Sequence, residues 1–209
     1  MTTSRRQFGL ALALALIALV GGAARPAAAA PSQQIVLAGG CFWGMELVFR
    51  NLNGVSEAMP GYSGGSAATA HYEMVSTGTT GHAESVRVTY DPAKISLAQI
   101  LNVYFTVAHD PTELDRQGPD YGTQYRSAIF VANADQRDAA KAEIAHLTAE
   151  HKYAAPIVTK LETFKAFYPA EAYHRNYAEL HPNDPYIVYN DAPKLVALKK
   201  AYPQLLAQK

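Results

Sequence analysis

The 209-residue chain has one cysteine, Cys41, and one tryptophan, Trp43. A single cysteine excludes an internal disulfide, so the fold must be held by its core. A chain of this length can bury one. Charge bias is also absent: 18 Lys and Arg balance 18 Asp and Glu. No block of like charge follows the first few residues, so nothing points to nucleic acid as a partner. The seven histidines are scattered and none makes a tight metal-ligand spacing, so no metal is expected. Repeats and low-complexity linkers are missing after residue 31, which leaves one domain, 31–209. What the chain does have is 49% hydrophobic residues and 13 tyrosines. Tyrosines can line a pocket that is apolar yet offers hydroxyl donors.

Residues 1–30 read as an export signal. Arg5-Arg6 precedes an apolar, Ala- and Leu-rich run from Phe8 to about Ala24, and Ala28-Ala29-Ala30 supplies small residues for a signal peptidase. The arginine pair resembles the twin-arginine signal, although Gly9 stands where a larger apolar residue is common. An ordinary Sec signal and an uncleaved anchor are the alternatives. Pro31 disfavours cleavage directly after Ala30, which puts the cut after Ala29 or earlier. The expected destination is a periplasm or the exterior. There a lone thiol is a liability unless it is buried or used.

Periodicity then gives the elements. Gln33–Ala38 reads as a buried strand ended by Gly39-Gly40. A helix follows over Phe42, Met45, Phe49 and Leu52, closed by Asn53-Gly54. Gly61–Gly65 reads as a flexible loop, and Tyr62 with these glycines is expected to shape the site entrance. His82–Tyr90 alternates like a strand. Ser96 and Gln99 form a capping box, flanked by Ile95 and Ile100 as a hydrophobic staple, for a helix running to about Ala108. A polar loop covers Asp115–Gln124 and a strand Tyr125–Ala132. A helix from Asp135 carries Ala140, Ile144, Leu147 and His151 on one stripe. Ile157–Phe167 reads as a strand or strand pair, Glu171–Leu180 as a short helix, and the Pro-rich remainder as a surface wrap. Irregular alternation of strands and helices implies an α+β domain with a mixed or antiparallel sheet.

Cys41 falls where a strand turns into a helix. The glycines before it let the backbone bend, and the helix start favours a negative charge, raising the small thiolate fraction of a free thiol. Phe42 and Trp43 either pack in the core or wall an apolar pocket beside the sulfur. Glu84 shares strand parity with Val86, Val88 and Tyr90, while Ser85, Arg87 and Thr89 point the other way. A carboxyl on the apolar face is favoured in its neutral form, which makes it a candidate general acid. The bland alternative is a strand-end glutamate reaching solvent.

Together these residues resemble a family. Gly40-Cys41-Phe42-Trp43-Gly44 resembles the signature of A-type peptide methionine sulfoxide reductases. So do Tyr72–Val75, Gly81-His82-Ala83-Glu84, Arg116–Asp120, Gly122–Ser127 and Ala172-Tyr173-His174, in the family's order from Ile35 to about Lys194. The resemblance implies a two-layer α+β sandwich with a ferredoxin-like core and no bound cofactor or metal. It implies that Cys41 attacks the sulfoxide sulfur and becomes a sulfenic acid. Phe42 and Trp43 would hold the substrate's ε-methyl group. Glu84 would give a proton to the sulfoxide oxygen, with Tyr72 and Tyr125 donating hydrogen bonds. Asp120 would position the substrate through water or its amide side. The substrate would be the S epimer of methionine sulfoxide, free or in peptides and oxidised proteins.

The chain departs from many relatives in having no resolving cysteine; Ser76 stands where some carry another. The sulfenic acid would then be reduced by an outside thiol, either small or on a thioredoxin- or glutaredoxin-like protein. His174 reads as structural or at the pocket rim. Two other readings compete: a cysteine hydrolase with His82 or His174 as base, and a non-catalytic exported binding protein with an inert thiol. A monomer is the default for a domain with a balanced surface.

Overall fold

The computed structural model describes residues 1–2 and 31–208. The apolar run and the alanines of the expected export signal lie outside the described residues. The strands are β1 (Gln33–Ala38), β2 (Val55–Ser63), β3 (Ala83–Tyr90), β4 (Arg116–Gln117), β5 (Asp120–Tyr121), β6 (Ala128–Val131), β7 (Lys160–Thr163) and β8 (Phe167–Pro169). The helices are α1 (Phe42–Phe49), α2 (Tyr72–Val75), α3 (Leu97–Val103), α4 (Ala134–Ala149), α5 (Tyr177–Leu180) and α6 (Ala192–Ala201). Six strands form one mixed sheet in the order β7-β6-β1-β3-β2-β8, and β4-β5 is a separate hairpin. Only β6–β7 pair in parallel; every other neighbour in the sheet is antiparallel. The architecture is α+β.

Strand parity decides which face is covered. Leu37 lies opposite Val86 and Ile35 opposite Val88. These four, with Tyr90 and Ile129, pack against Phe42, Met45, Val48 and Phe49 of α1 and Ile100, Leu101 and Val103 of α3. Each large side chain so buried stabilises the fold by about 1.5–3 kcal/mol. The opposite face is smaller: Val36, Ala38, Ala83, Ala128 and Phe130 lie under Phe164 and Phe167. Glu84 points to the helix-covered face, as its parity predicts, and is 3% exposed.

Local chemistry sets several ends. The Ser96 hydroxyl accepts from the Gln99 N–H while the Gln99 side chain accepts from the Ser96 N–H, completing the capping box; Ile95 and Ile100 are both buried. Asn133 caps α4 through the Gln136 N–H. The α3 helix widens into a π-type turn over Tyr104–Ala108, which extends it to the expected end.

Other expectations are corrected. Gly61–Ser63 is not a loop: it completes β2, where Tyr62 pairs with Glu84 across the ladder. A proline and a glycine within β2 hide its strand character, and pairing on both sides, with β3 and β8, supplies what propensity does not. Tyr125 belongs to a 3-10 turn ahead of β6. His151 has left α4 with a positive φ and is exposed. The Glu171–Leu180 helix is broken at Asn176, which takes a left-handed conformation between a 3-10 turn and α5. The Pro-rich tail is not merely a wrap: Pro193 lies in the first turn of α6, where its missing N–H costs nothing, and α6 packs on α1.

Candidate active site

Cys41 sits at the N-cap of α1, directly after the turn that leaves β1. Two contacts demand glycine there. A Cβ on Gly39 would lie 2.7 Å from the His109 ring, and one on Gly40 2.5 Å from the Gln117 side chain; Gly40 also has φ +89°. The end of β1 is clamped from below. Tyr104 donates its hydroxyl to the Ala38 carbonyl at 2.8 Å, and Ser127 bridges Tyr104 and His109. Burial holds His109 neutral, with its pKa lowered to about 4. The clamp is therefore uncharged and insensitive to pH near neutrality.

The thiol does not rest as the helix start alone suggests. Burial pushes Cys41 well above its ordinary value, and the charges of Glu84 and Asp191 push the same way. The Trp43 backbone N–H and the Lys194 ammonium pull it down less strongly. Desolvation wins here because α1 is short and the sulfur, in a residue only 8% exposed, is nearly enclosed.

Glu84 reaches the same helix from β3. Its Oε2 accepts the Phe42 backbone N–H at 3.0 Å. Burial raises its pKa to about 8; the Phe42 N–H opposes this, and the charges of Asp120 and Asp191 reinforce it. The carboxyl is thus largely protonated at neutral pH and can donate. A solvent-reaching strand-end glutamate is excluded by its burial.

Phe42 is 1% exposed and faces the Tyr62 and His174 rings. Trp43 is only partly buried. It is fixed by three partners: its Nε1–H donates to His174 Nδ1 at 3.1 Å, its ring stacks on Tyr177 at 3.8 Å, and Tyr186 meets it edge-on. Accepting at Nδ1 leaves the neutral His174 proton on Nε2, facing Glu171 at 3.9 Å. Both ring residues therefore have fixed orientations beside Cys41, as a wall for a small apolar group requires.

The remaining expected residues converge on this point. The Tyr125 phenol is held protonated by burial and by the charges of Glu84, Asp120 and Cys41. Tyr72 is raised by burial, then by Glu84. Asp120, on the β4–β5 hairpin, accepts a short hydrogen bond from the Tyr186 hydroxyl, and burial raises its pKa. Tyr62 is displaced from its expected place: it is fully buried, and its hydroxyl donates to Glu171 Oε2 at 2.8 Å. Glu171 also accepts the Tyr72 N–H, so this exchange positions Tyr72 rather than an entrance.

Sequence reasoning missed Tyr186, Asp191 and Lys194, which come from the C-terminal segment. Asp191 is fully buried, and Lys194 Nζ lies 3.2 Å from its Oδ1. The readable signal was Pro193 beside Ala192, a helix start of the usual kind. Among the described residues no group of three or more His, Cys, Asp or Glu could hold a metal ion.

The sequence pattern of the family described as peptide methionine sulfoxide reductase matches residues 33–205, which span every site residue above. The chain belongs to the peptide methionine sulfoxide reductase family. It is 54% identical over 182 residues to peptide methionine sulfoxide reductase MsrA 2 of Mesorhizobium japonicum, covering 87% of this chain and 93% of that one. It is 45% identical over 175 residues to MsrA 2 of Synechocystis, covering 84% and 82%. Its structure is similar to that of reduced Mxr1 from Saccharomyces cerevisiae, with a TM-score of 0.66 and 34% identity over 73% of this chain and 87% of that one. Membership of the reductase family disfavours a hydrolase, and the geometry agrees. Both His82 ring nitrogens are occupied: Nδ1 accepts the Gly65 N–H, and Nε2 bonds the Ser66 carbonyl. His174 Nδ1 is taken by Trp43. Neither histidine is free to take the Cys41 proton.

Proposed function

We propose that the protein reduces the S epimer of methionine sulfoxide, free or in peptides and oxidised proteins, with Cys41 as nucleophile. The observation that carries this reading is the buried carboxyl of Glu84, which accepts the backbone N–H of the first residue of the helix that Cys41 begins and whose pKa burial raises. A sulfoxide oxygen is a poor leaving group until it is protonated. The Cys41 sulfur attacks the sulfoxide sulfur while Glu84 supplies a proton to the oxygen, with Tyr72 and Tyr125 donating hydrogen bonds. The oxygen ends on Cys41. The overall change is Cys–SH plus sulfoxide to Cys–SOH plus thioether, so the cysteine sulfur loses the two electrons that the methionine sulfur gains. Phe42 and Trp43 hold the ε-methyl group. Asp120, fixed by Tyr186, positions the substrate.

Cys41 is the only cysteine, so no internal disulfide can form, and an outside thiol reduces the sulfenic acid. A small thiol or a thioredoxin- or glutaredoxin-like protein would serve, without bound cofactor or metal. Attack on the sulfenic sulfur releases water and leaves a mixed disulfide, which a second thiol resolves. The order β6-β1-β3-β2, all antiparallel, with α1 and α3 as the connecting helices, supports a ferredoxin-like core. The paired arginines and alanine-rich run support export to the periplasm or beyond. The balanced charge supports a monomer that does not bind nucleic acid.

The deciding assay supplies each epimer of a blocked methionine sulfoxide separately, with dithiothreitol, to the purified protein and to Cys41→Ser. Turnover of the S epimer alone, lost in the variant, is expected. A folded protein that turns over neither epimer overturns the reading. Intact mass of the protein recovered from a periplasmic fraction tests export, with cleavage expected at Ala29 or before.

A further inference from the structure

The Asp191–Lys194 pair is the one charged pair at the site that the reaction above leaves without a part. Asp191 closes the π-type turn Ile187–Asp191, and Lys194 lies on the first turn of α6. The pair reaches α1 at Gly44, one turn beyond Cys41: a Cβ there would lie 2.1 Å from Asp191 Oδ1 and 2.6 Å from Lys194 Nζ. Asp191 is 0% exposed and Lys194 17%. Asp191 Oδ2 has no hydrogen-bond partner among the described residues. A buried carboxylate and ammonium cost several kcal/mol each to desolvate, and their attraction seldom offsets that in full. An ion pair placed here is thus a poor device for stability alone.

We propose that Lys194 is a positioning residue that supports the Cys41 thiolate, and that Asp191 holds its ammonium against α1 at Gly44 and opposes its charge. The proposal rests on the reading of Cys41 as the nucleophile. Of the groups facing the sulfur, Glu84 comes from β3, Asp191 and Lys194 from the start of α6, and the Trp43 N–H from α1. The phenols of Tyr72, Tyr125 and Tyr186 are near enough to feel a charge on Cys41. Lys194 is the only cation among them. Its charge also acts on Asp120 and His109, and its ammonium lies against α1 at Gly44. Glu84 must keep its proton to act as an acid, and it is held by a backbone N–H. The cation that stabilises a developing thiolate therefore has to come from elsewhere, and Lys194 supplies it.

The two members of the pair should shift the thiol in opposite directions. Cys41 is the only thiol, so alkylation followed by mass spectrometry of its peptide reports it, with Cys41→Ser as the blank. Lys194→Met and Lys194→Gln should move the pH midpoint of alkylation upward and slow alkylation at pH 7 several-fold. Lys194→Arg should restore both. Asp191→Asn, close in shape, should move the midpoint downward. A merely structural pair would alter thermal stability but leave the midpoint in place. Unchanged midpoints in folded variants, or an upward move in Asp191→Asn, would overturn the proposal. Alkylation does not require sulfoxide turnover, so failure here is distinct from failure of the reductase assignment.

Discussion

The Phe42 backbone N–H donates to the Glu84 carboxyl at 3.0 Å, which ties the candidate acid to the residue that follows the candidate nucleophile. Any shift of β3 against α1 would move acid and thiol apart together. The bond opposes the desolvation of Glu84 without reversing it, and the pKa stays near 8.

Glu84→Gln keeps the shape and the hydrogen bond from Phe42 but removes the transferable proton. The rate of methionine formation should fall by about 10²–10⁴-fold, with little change in circular dichroism. In the parent, activity should decline as pH rises past about 8, where Glu84 ionises. The Gln variant's residual rate should lack that limb.

The same group makes stability depend on pH. An unfolded glutamate ionises near 4.5, whereas folded Glu84 keeps its proton to about 8. The folded state binds more protons between these values, so Glu84's contribution is fully present below about 4.5 and is lost as pH rises through 8. The melting temperature of Glu84→Gln relative to the parent should therefore rise from pH 5 to pH 9. A flat difference would show that the carboxyl is solvated.

His174 orients Trp43 through a single hydrogen bond. His174→Phe keeps an aromatic ring but leaves the indole N–H unpaired, at a cost of about 1–3 kcal/mol in stability by urea unfolding. The KM for sulfoxide should rise several-fold with a smaller change in kcat, because the indole bounds the methyl site and takes no proton.

Gly44→Ala places a methyl group on the Asp191–Lys194 contact. Overpacking of this kind costs about 1–3 kcal/mol, and displacement of the pair should also change the rate of Cys41 alkylation at pH 7. An unaffected alkylation rate would mean that α6 moves without consequence for the thiol.

Without reductant, one turnover should yield one methionine per protein and a sulfenic acid on Cys41. Dimedone should trap it, and mass spectrometry should show the adduct. No neighbouring cysteine can consume it first.

Much of this site was legible in the sequence because its signals are local. The glycines before Cys41, the parity of Glu84 and the Ser96 capping box each need only a few neighbouring residues to interpret. Strand β2 was not legible, since Pro60 and Gly61 disguise a segment that long-range pairing on both sides makes regular. The fate of Tyr62 followed from that misreading. Tyr186, Asp191 and Lys194 were missed for a related reason. Their role depends on α6 packing against α1, a contact between distant parts of the chain that no periodicity records. The resting state of the thiol was also misjudged. Helix position argues for a thiolate, and only the burial of Cys41 shows that desolvation outweighs it.

The bond from Trp43 to His174 joins residues 131 positions apart, and the last groups around Cys41 come from further along still. The thiol is thus synthesised well before the residues that complete its surroundings. Closing so long a loop carries an entropic cost that the contacts made at its end must offset. The change in Cys41 alkylation during refolding is therefore expected to report the docking of the C-terminal helix on α1.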